Sequence, residues 1–207
     1  MNESKAIVTI GRQTGSGGRE IGQRLAEALK IPFYDRELLV RAAKESGMDE
    51  AIFDNHDEQP SKSLLYSMAM GTFSFGFPQT SYQDMPFDHK VFLAQFDAIQ
   101  KIAEEGPCVI VGRCADYALE ENPNLLSVFI LGNEEDRVRR IAARRELSPE
   151  KAKDFIRRND KRRSAYYDYY ANKKWGASGS YDMCLNSSVF GIKGCIELIK
   201  EALLCKK

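Results

Sequence analysis

The stretch "AIVTIGRQTGSGGREIGQRLAEAL", residues 6–29, constrains this chain more than any other. Residues 6–10 are a β-branched apolar run of the kind a buried strand uses. Four glycines then fall within residues 11–18, after which Ile21, Leu25, Ala28 and Leu29 return at helical spacing. A strand, a glycine-rich turn and an amphipathic helix make half of a βαβ unit, and such a unit requires further parallel strands beside it.

The remaining sequence offers them. "IPFYD" reads as a second strand leading into "RELLVRAAKES", a helix with Asp35 available as its N-cap and Gly47 to end it. "KVFLAQFDAIQKIAE" has helical periodicity closed by Gly106-Pro107, and "CVIV" is a third strand ending at Gly112-Arg113. "SVFIL" is a fourth strand, "NEEDRVRRIAARR" a helix, and "SPEKAKDFIRRNDKRRSAYYDYY" a long basic helix with Ser148 as N-cap and Pro149 in its first turn. "YDMCLN" and "IKGCIELIKEALL" supply a fifth strand and a closing helix. Short apolar strands alternating with helices predict an α/β fold of three α/β/α layers around a five-stranded parallel sheet. Ligands gather at the carboxyl ends of such strands, where Gly11 to Gly18, Asp35, Gly112-Arg113, Asn133 and Asn186 all fall. One domain over 1–207 is expected, with an insertion at about 36–104 and a basic lid at about 146–175. Residues 49–88 change from acidic to mixed apolar and glycine-containing, and suit a flap or a partner surface equally.

Charge and cysteine content narrow the function. Net charge is zero, yet residues 137–163 hold 12 Lys or Arg against 4 Asp or Glu. A neutral total argues against general nucleic-acid binding, whereas a concentrated basic segment suits a small polyanion. No stretch approaches the apolar length of a membrane span, and the N-terminus lacks the pattern of a signal peptide, so a cytoplasmic protein is expected. Five cysteines without C-x-x-C spacing indicate neither a disulfide framework nor a zinc cluster. His56 and His89 receive no role, and the oligomeric state stays open.

The usual phosphate loop, G-x-x-x-x-G-K-[ST], surrounds phosphates with backbone N–H groups and sends a lysine to the β/γ oxygens. Here the best register sets Arg12 at the first glycine, Gly17 at the second and Gly18 where lysine belongs. The backbone part survives: Gly15, Ser16, Gly17 and Gly18 permit the turn, and the following helix offers its positive end to an anion. Arg12 and Arg19 are the candidates for the missing cation, and Glu20 is the candidate carboxylate for Mg²⁺.

At these residues the chain resembles the cytidylate kinase-like proteins, a branch of the nucleoside monophosphate kinases within the P-loop fold. "GSGGRE" is similar to a variant of the kinase "GSGKGT" loop, and "VIVGRCADYAL" to the family's "IVGRGADY" segment. "YDRELLVR" is similar to "LDTGAIYR", where an aspartate and an arginine six residues on face the acceptor; Asp35 and Arg41 keep that spacing. "GRCAD" is similar to "GRDMG", which makes Arg113 an acceptor-phosphate arginine by resemblance, with Cys114 a departure. "RRNDKRR" resembles the arginine-rich lid "RDRDRNR", with Asp160 and Arg163 in its D-x-x-R spacing, and "YDMCLNSS" resembles the late "ADALVLDSTT" strand. Residues 49–88 match no cytidine-binding insertion.

The resemblance implies phosphoryl transfer from ATP with Mg²⁺ to a nucleoside monophosphate, CMP or dCMP. That chemistry is mostly positioning and electrostatic stabilisation of phosphoryl oxygens, so it requires several cations around one small volume. Arg19, Arg41, Arg113, Arg158, Arg162 and Arg163 are the expected set, the last three brought by a closing lid. By resemblance, Arg19 replaces the loop lysine. Two other readings stay open: an inactive protein that holds or senses a nucleotide, and a kinase for a non-nucleotide acceptor. Tyr166, Tyr167, Tyr169, Tyr170 and Trp175 read as packing.

Overall fold

A computed structural model describes residues 6–47 and 87–206. Most of the expected insertion therefore lies outside the described residues. Five strands form one fully parallel sheet: β1 (Ile7–Arg12), β2 (Phe33–Tyr34), β3 (Cys108–Val111), β4 (Leu125–Leu131) and β5 (Met183–Asn186). Their spatial order is β2-β3-β1-β4-β5, with Ile7 beside Cys108 on one side and Leu125 on the other. β1 sits at the centre, so the glycine loop leaves the sheet between β3 and β4. That crevice is a topological switch point, where ligands of such folds bind.

Side chains of β1 alternate between two layers, as the period of a strand requires. Val8 and Ile10 face one core with Ile21 and Leu25 of α1 (Gly18–Leu29) and with Ile196 and Ile199 of a C-terminal helix. Ile7 faces the other, with Leu38 of α2 (Arg36–Ser46) and Ile99 and Ile102 of α3 (Phe87–Glu105). A short α4 (Ala115–Ala118) follows β3 on this second side. This is the three-layer arrangement read from the sequence. β4 begins at Leu125, two residues earlier than the pattern suggested, because Leu125 and Leu126 are themselves buried.

The basic segment forms a helical hairpin, α5 (Glu134–Arg145) and α6 (Pro149–Tyr170). Ser148 caps α6 by accepting the N–H of Lys151, with Pro149 at its start. Ile141, Ala152 and Ile156 give the hairpin a small core of its own. α7 (Ser187–Cys205) closes the chain and is broken at Gly191, whose φ of 66° is non-helical. The tyrosines at the end of α6 pack as expected: Tyr166 and Tyr167 are buried, and Tyr170 stacks on Phe92 of α3. No helix among the described residues is long and apolar enough to cross a membrane.

Candidate functional site

The loop between β1 and α1 is held from outside by its carbonyl groups. Arg137 Nε donates to Thr14 O at 3.0 Å, Arg140 Nη1 to Gly15 O at 3.1 Å, and the Ser187 hydroxyl to Ser16 O at 2.5 Å. A trans peptide points its C=O and N–H in opposite directions. Drawing the Thr14 and Ser16 carbonyls to these donors therefore turns the Gly15 and Gly17 N–H groups to the other side. Gly15 (φ 80°) and Gly17 (φ 83°) adopt the left-handed backbone that this path needs. Ser16, fully buried, returns its hydroxyl to Gln13 O at 2.9 Å. The first-turn N–H groups of α1 lack intrahelical acceptors, and Gly17 caps them with no side chain. A loop of this kind, with its peptides oriented in advance, has the geometry to accept an anion.

Arg137, Arg140 and Ser187 were not singled out by sequence reasoning. The signal was present for the arginines, which stand three apart at the start of the basic segment and so share one helix face. Ser187 directly follows Asn186, whose side chain reaches Asn133 at 2.9 Å across the same strand ends.

α6 meets the loop through the D-x-x-R pair Asp160 and Arg163. Asp160 Oδ1 accepts the Thr14 N–H at 2.7 Å, and its Oδ2 pairs with Arg137 at 2.6 Å. Arg163 Nη1 lies 3.4 Å from Arg12 O and 3.3 Å from Thr14 Oγ1. Arg158 and Arg162 are not brought there. Both lie on the exposed side of α6, because the buried Ala152 and Ile156 turn the opposite side inward.

On the other flank, Asp35 is the centre of an arginine cluster. Its carboxylate accepts Arg19 Nε at 2.6 Å and Arg113 Nη1 at 3.2 Å. Asp35 does occupy the N-cap position of α2, yet it makes no capping hydrogen bond. Burial acts to raise the Asp35 carboxyl, but Arg113, Arg19 and Arg12 outweigh it and hold it below the ordinary carboxylate range. Arg19, expected by resemblance to replace the loop lysine, has its Nε on Asp35 and its guanidinium beside the Phe33 ring.

Arg113 is 2% exposed and stands in a run of three left-handed residues, Gly112 (φ 78°), Arg113 (φ 57°) and Cys114 (φ 55°). Two consecutive non-glycine residues of this kind cost about 1–2 kcal/mol each. Such strain gathers where the surrounding structure fixes a side chain for use. It aims Arg113 back across the sheet ends, where Nη1 also donates to Val111 O at 3.1 Å. Next to it Asp116 is buried and accepts the Tyr167 hydroxyl at 2.5 Å. Burial raises the Asp116 carboxyl, and that hydrogen bond offsets it only in part. Asp116 went unnoticed in the sequence because nothing in "GRCADY" marks the aspartate as buried.

Two sequence-based site residues are placed elsewhere. Arg41 bonds Glu45 at 2.7 Å and also Glu105, which precedes β3 and so marks the amino end of the sheet, opposite the loop. Its charge is used on the flank, and Arg41→Ala is expected to change acceptor KM by less than about twofold while Arg113 variants change it strongly, as initial-rate kinetics would show. Glu20 pairs with Arg24 at 2.7 Å along the exposed side of α1. The cations that remain together are Arg12, Arg113 and Arg163, which line one cavity with Gly11 and Gly112, and Arg19, joined to them through Asp35.

A family model described as the cytidylate kinase-like family matches residues 7–189. Among solved structures, the chain is similar to an uncharacterized protein from Eubacterium ventriosum ATCC 27560, with 29% identity and a TM-score of 0.71 over 96% of this chain and 98% of that one. It is also similar in fold to the shikimate kinase of Bacteroides thetaiotaomicron, at 14% identity and a TM-score of 0.55 over 97% and 99% of the two chains. The shikimate kinase of Acinetobacter baumannii gives 13% identity and a TM-score of 0.53 over 99% and 95%. No curated protein sequence matches the chain.

Proposed function

The chain belongs to the cytidylate kinase-like family, and from that premise we propose that it transfers the γ-phosphoryl group of ATP to a nucleoside monophosphate, with CMP and dCMP the first acceptors to test. The observation that carries this reading is the convergence of Arg12, Arg113 and Arg163 on one cavity beside the glycine loop. Phosphoryl transfer concentrates negative charge on donor, acceptor and transferring oxygens, and fixed cations stabilise it best where water is excluded. In this reading the loop and the start of α1 bind the donor phosphates. Arg113 and Asp35, with Arg19, hold the acceptor, and Arg163 with Asp160 fixes the lid over both.

Magnesium, if bound with ATP, would supply charge neutralisation at the phosphates. Among the described residues no three His, Cys, Asp or Glu side chains gather as a metal site. The cavity between the ends of β1 and β3 and the α6 residues Arg163, Tyr166 and Tyr167 measures about 20 Å³, room for about one water. The reading therefore requires the part of α6 that carries Arg163 to draw back for substrates to enter while α5 keeps its hold on the loop carbonyls, a motion of the kind that gates many kinases.

The test is ADP release from ATP and Mg²⁺ with CMP, dCMP, UMP and AMP in turn. Acceleration by at least one of them is the expected outcome. Binding of ATP without acceleration by any acceptor would overturn the reading, in favour of a nucleotide-holding protein or a kinase for another alcohol.

A further inference from the structure

We infer that Arg12 takes over the work of the missing loop lysine, through a reciprocal exchange of residues between positions 12 and 18. In the usual motif the first glycine and the lysine stand six residues apart. Here those two positions hold arginine and glycine, the same size classes in reversed order.

The packing explains why the exchange is reciprocal. A Cβ on Gly18 would lie 2.6 Å from Arg12 Cβ, 3.2 Å from Arg12 Cγ and 3.3 Å from Ile130 Cβ. Arg12 therefore lays its stem across the first residue of α1, through the space from which a lysine at 18 would depart. A side chain at 18 and an arginine at 12 exclude one another. Gly18 is required by this close approach, whereas Gly15 and Gly17 are required by their backbone angles as well.

From that starting point Arg12 lines the same cavity as Arg113 and Arg163. Its charge is felt at Asp35, which it helps to keep ionised. Arg19 is the competing candidate, but its Nε is held by Asp35 at 2.6 Å and its side chain is 48% exposed. An arginine meets phosphate oxygens as a planar fork with paired donors, so the exchange keeps the charge and changes the recognition from a point to a plane.

This inference rests on the ATP-binding reading above, and the test separates the two. Affinity for ATP with Mg²⁺ by calorimetry, and acceptor-dependent turnover, are measured for wild type, R12Q, R12K, G18K and R12G/G18K, with thermal unfolding of each. R12Q is expected to lose about 10²–10³ in turnover, and R12K to recover part of it. G18K alone is expected to be destabilised by the collision with Arg12, whereas R12G/G18K, which restores the usual order, regains stability and turnover to within about tenfold of wild type. Wild-type turnover in a folded R12Q, or a double variant no better than G18K, would overturn the exchange and leave the ATP reading standing. A wild-type protein that does not bind ATP with Mg²⁺ would overturn both.

Discussion

Arg113→Met is expected to lower acceptor-dependent turnover by a factor of about 10³ and to destabilise the protein by about 3 kcal/mol. The Arg113 side chain is 1% exposed and its partner Asp35 is 9% exposed, so the pair is shielded from water. Removing one member of a buried pair leaves the other as an uncompensated charge. In Arg113→Met, Asp35 still has Arg19, which limits the loss. Asp35→Asn is the harsher change for stability, at about 3–5 kcal/mol, because the buried Arg113 guanidinium then faces a neutral amide in place of its carboxylate. Urea unfolding of both single variants and of Asp35→Asn with Arg113→Met measures this directly. The double variant is expected to be more stable than the sum of the singles implies, since it leaves no buried charge alone. A purely additive result would sink the idea that these residues act as a pair.

The same pair contributes to the acid limb of stability. Asp35 has a folded pKa depressed below its unfolded value of about 3.9. Its contribution is therefore fully present above that pH and is lost as pH falls through the lower, folded value. Asp116 works in the opposite sense. Burial raises its pKa, so its contribution is greatest below the unfolded value and is lost as pH rises through the folded one. Asp35→Asn should flatten the loss of stability in acid, which fluorescence-monitored unfolding between pH 2 and about 6 would detect.

The sheet was legible because its strands are short, apolar and separated by helices of clear period, and the order of elements left few topologies open. The glycine loop was legible as a backbone device. What one dimension hides is which arginine faces which carboxylate. Arg41 lies six residues after Asp35, but a helix turns 600° over that interval at 100° per residue, and Glu45 and Glu105 capture it on another side. Arg158 and Arg162 belong to the same charge run as Arg163, yet only Arg163 shares a face with Asp160 and meets the loop. The clamp on the loop carbonyls was missed for a related reason. Arg137, Arg140 and Ser187 lie more than a hundred residues from the groups they bind, so their partners are set by the sheet order and not by spacing.

Gly15→Ala is expected to cost about 3 kcal/mol and to abolish measurable binding of ATP with Mg²⁺. Two causes add at this residue. Its φ of 80° is the left-handed region, which costs a side chain about 1 kcal/mol. A Cβ there would also stand 2.8 Å from the Arg137 carbonyl oxygen and 3.1 Å from Arg137 Cα. These are backbone atoms of α5 and cannot rotate aside, so either the loop or the helix must move, at about 1–3 kcal/mol. Movement of α5 would carry Arg137 away from Thr14 and Asp160, and so would loosen the loop and the lid together. Gly47→Ala is the control: its φ is 70°, but nothing among the described residues lies within 4 Å of the added carbon, so the backbone cost of about 1 kcal/mol is the one expected. The difference between the two variants in urea unfolding isolates the collision with α5. Equal losses would mean that the loop yields freely, and the view of it as a preset phosphate cradle clamped by Arg137 and Arg140 would have to be given up.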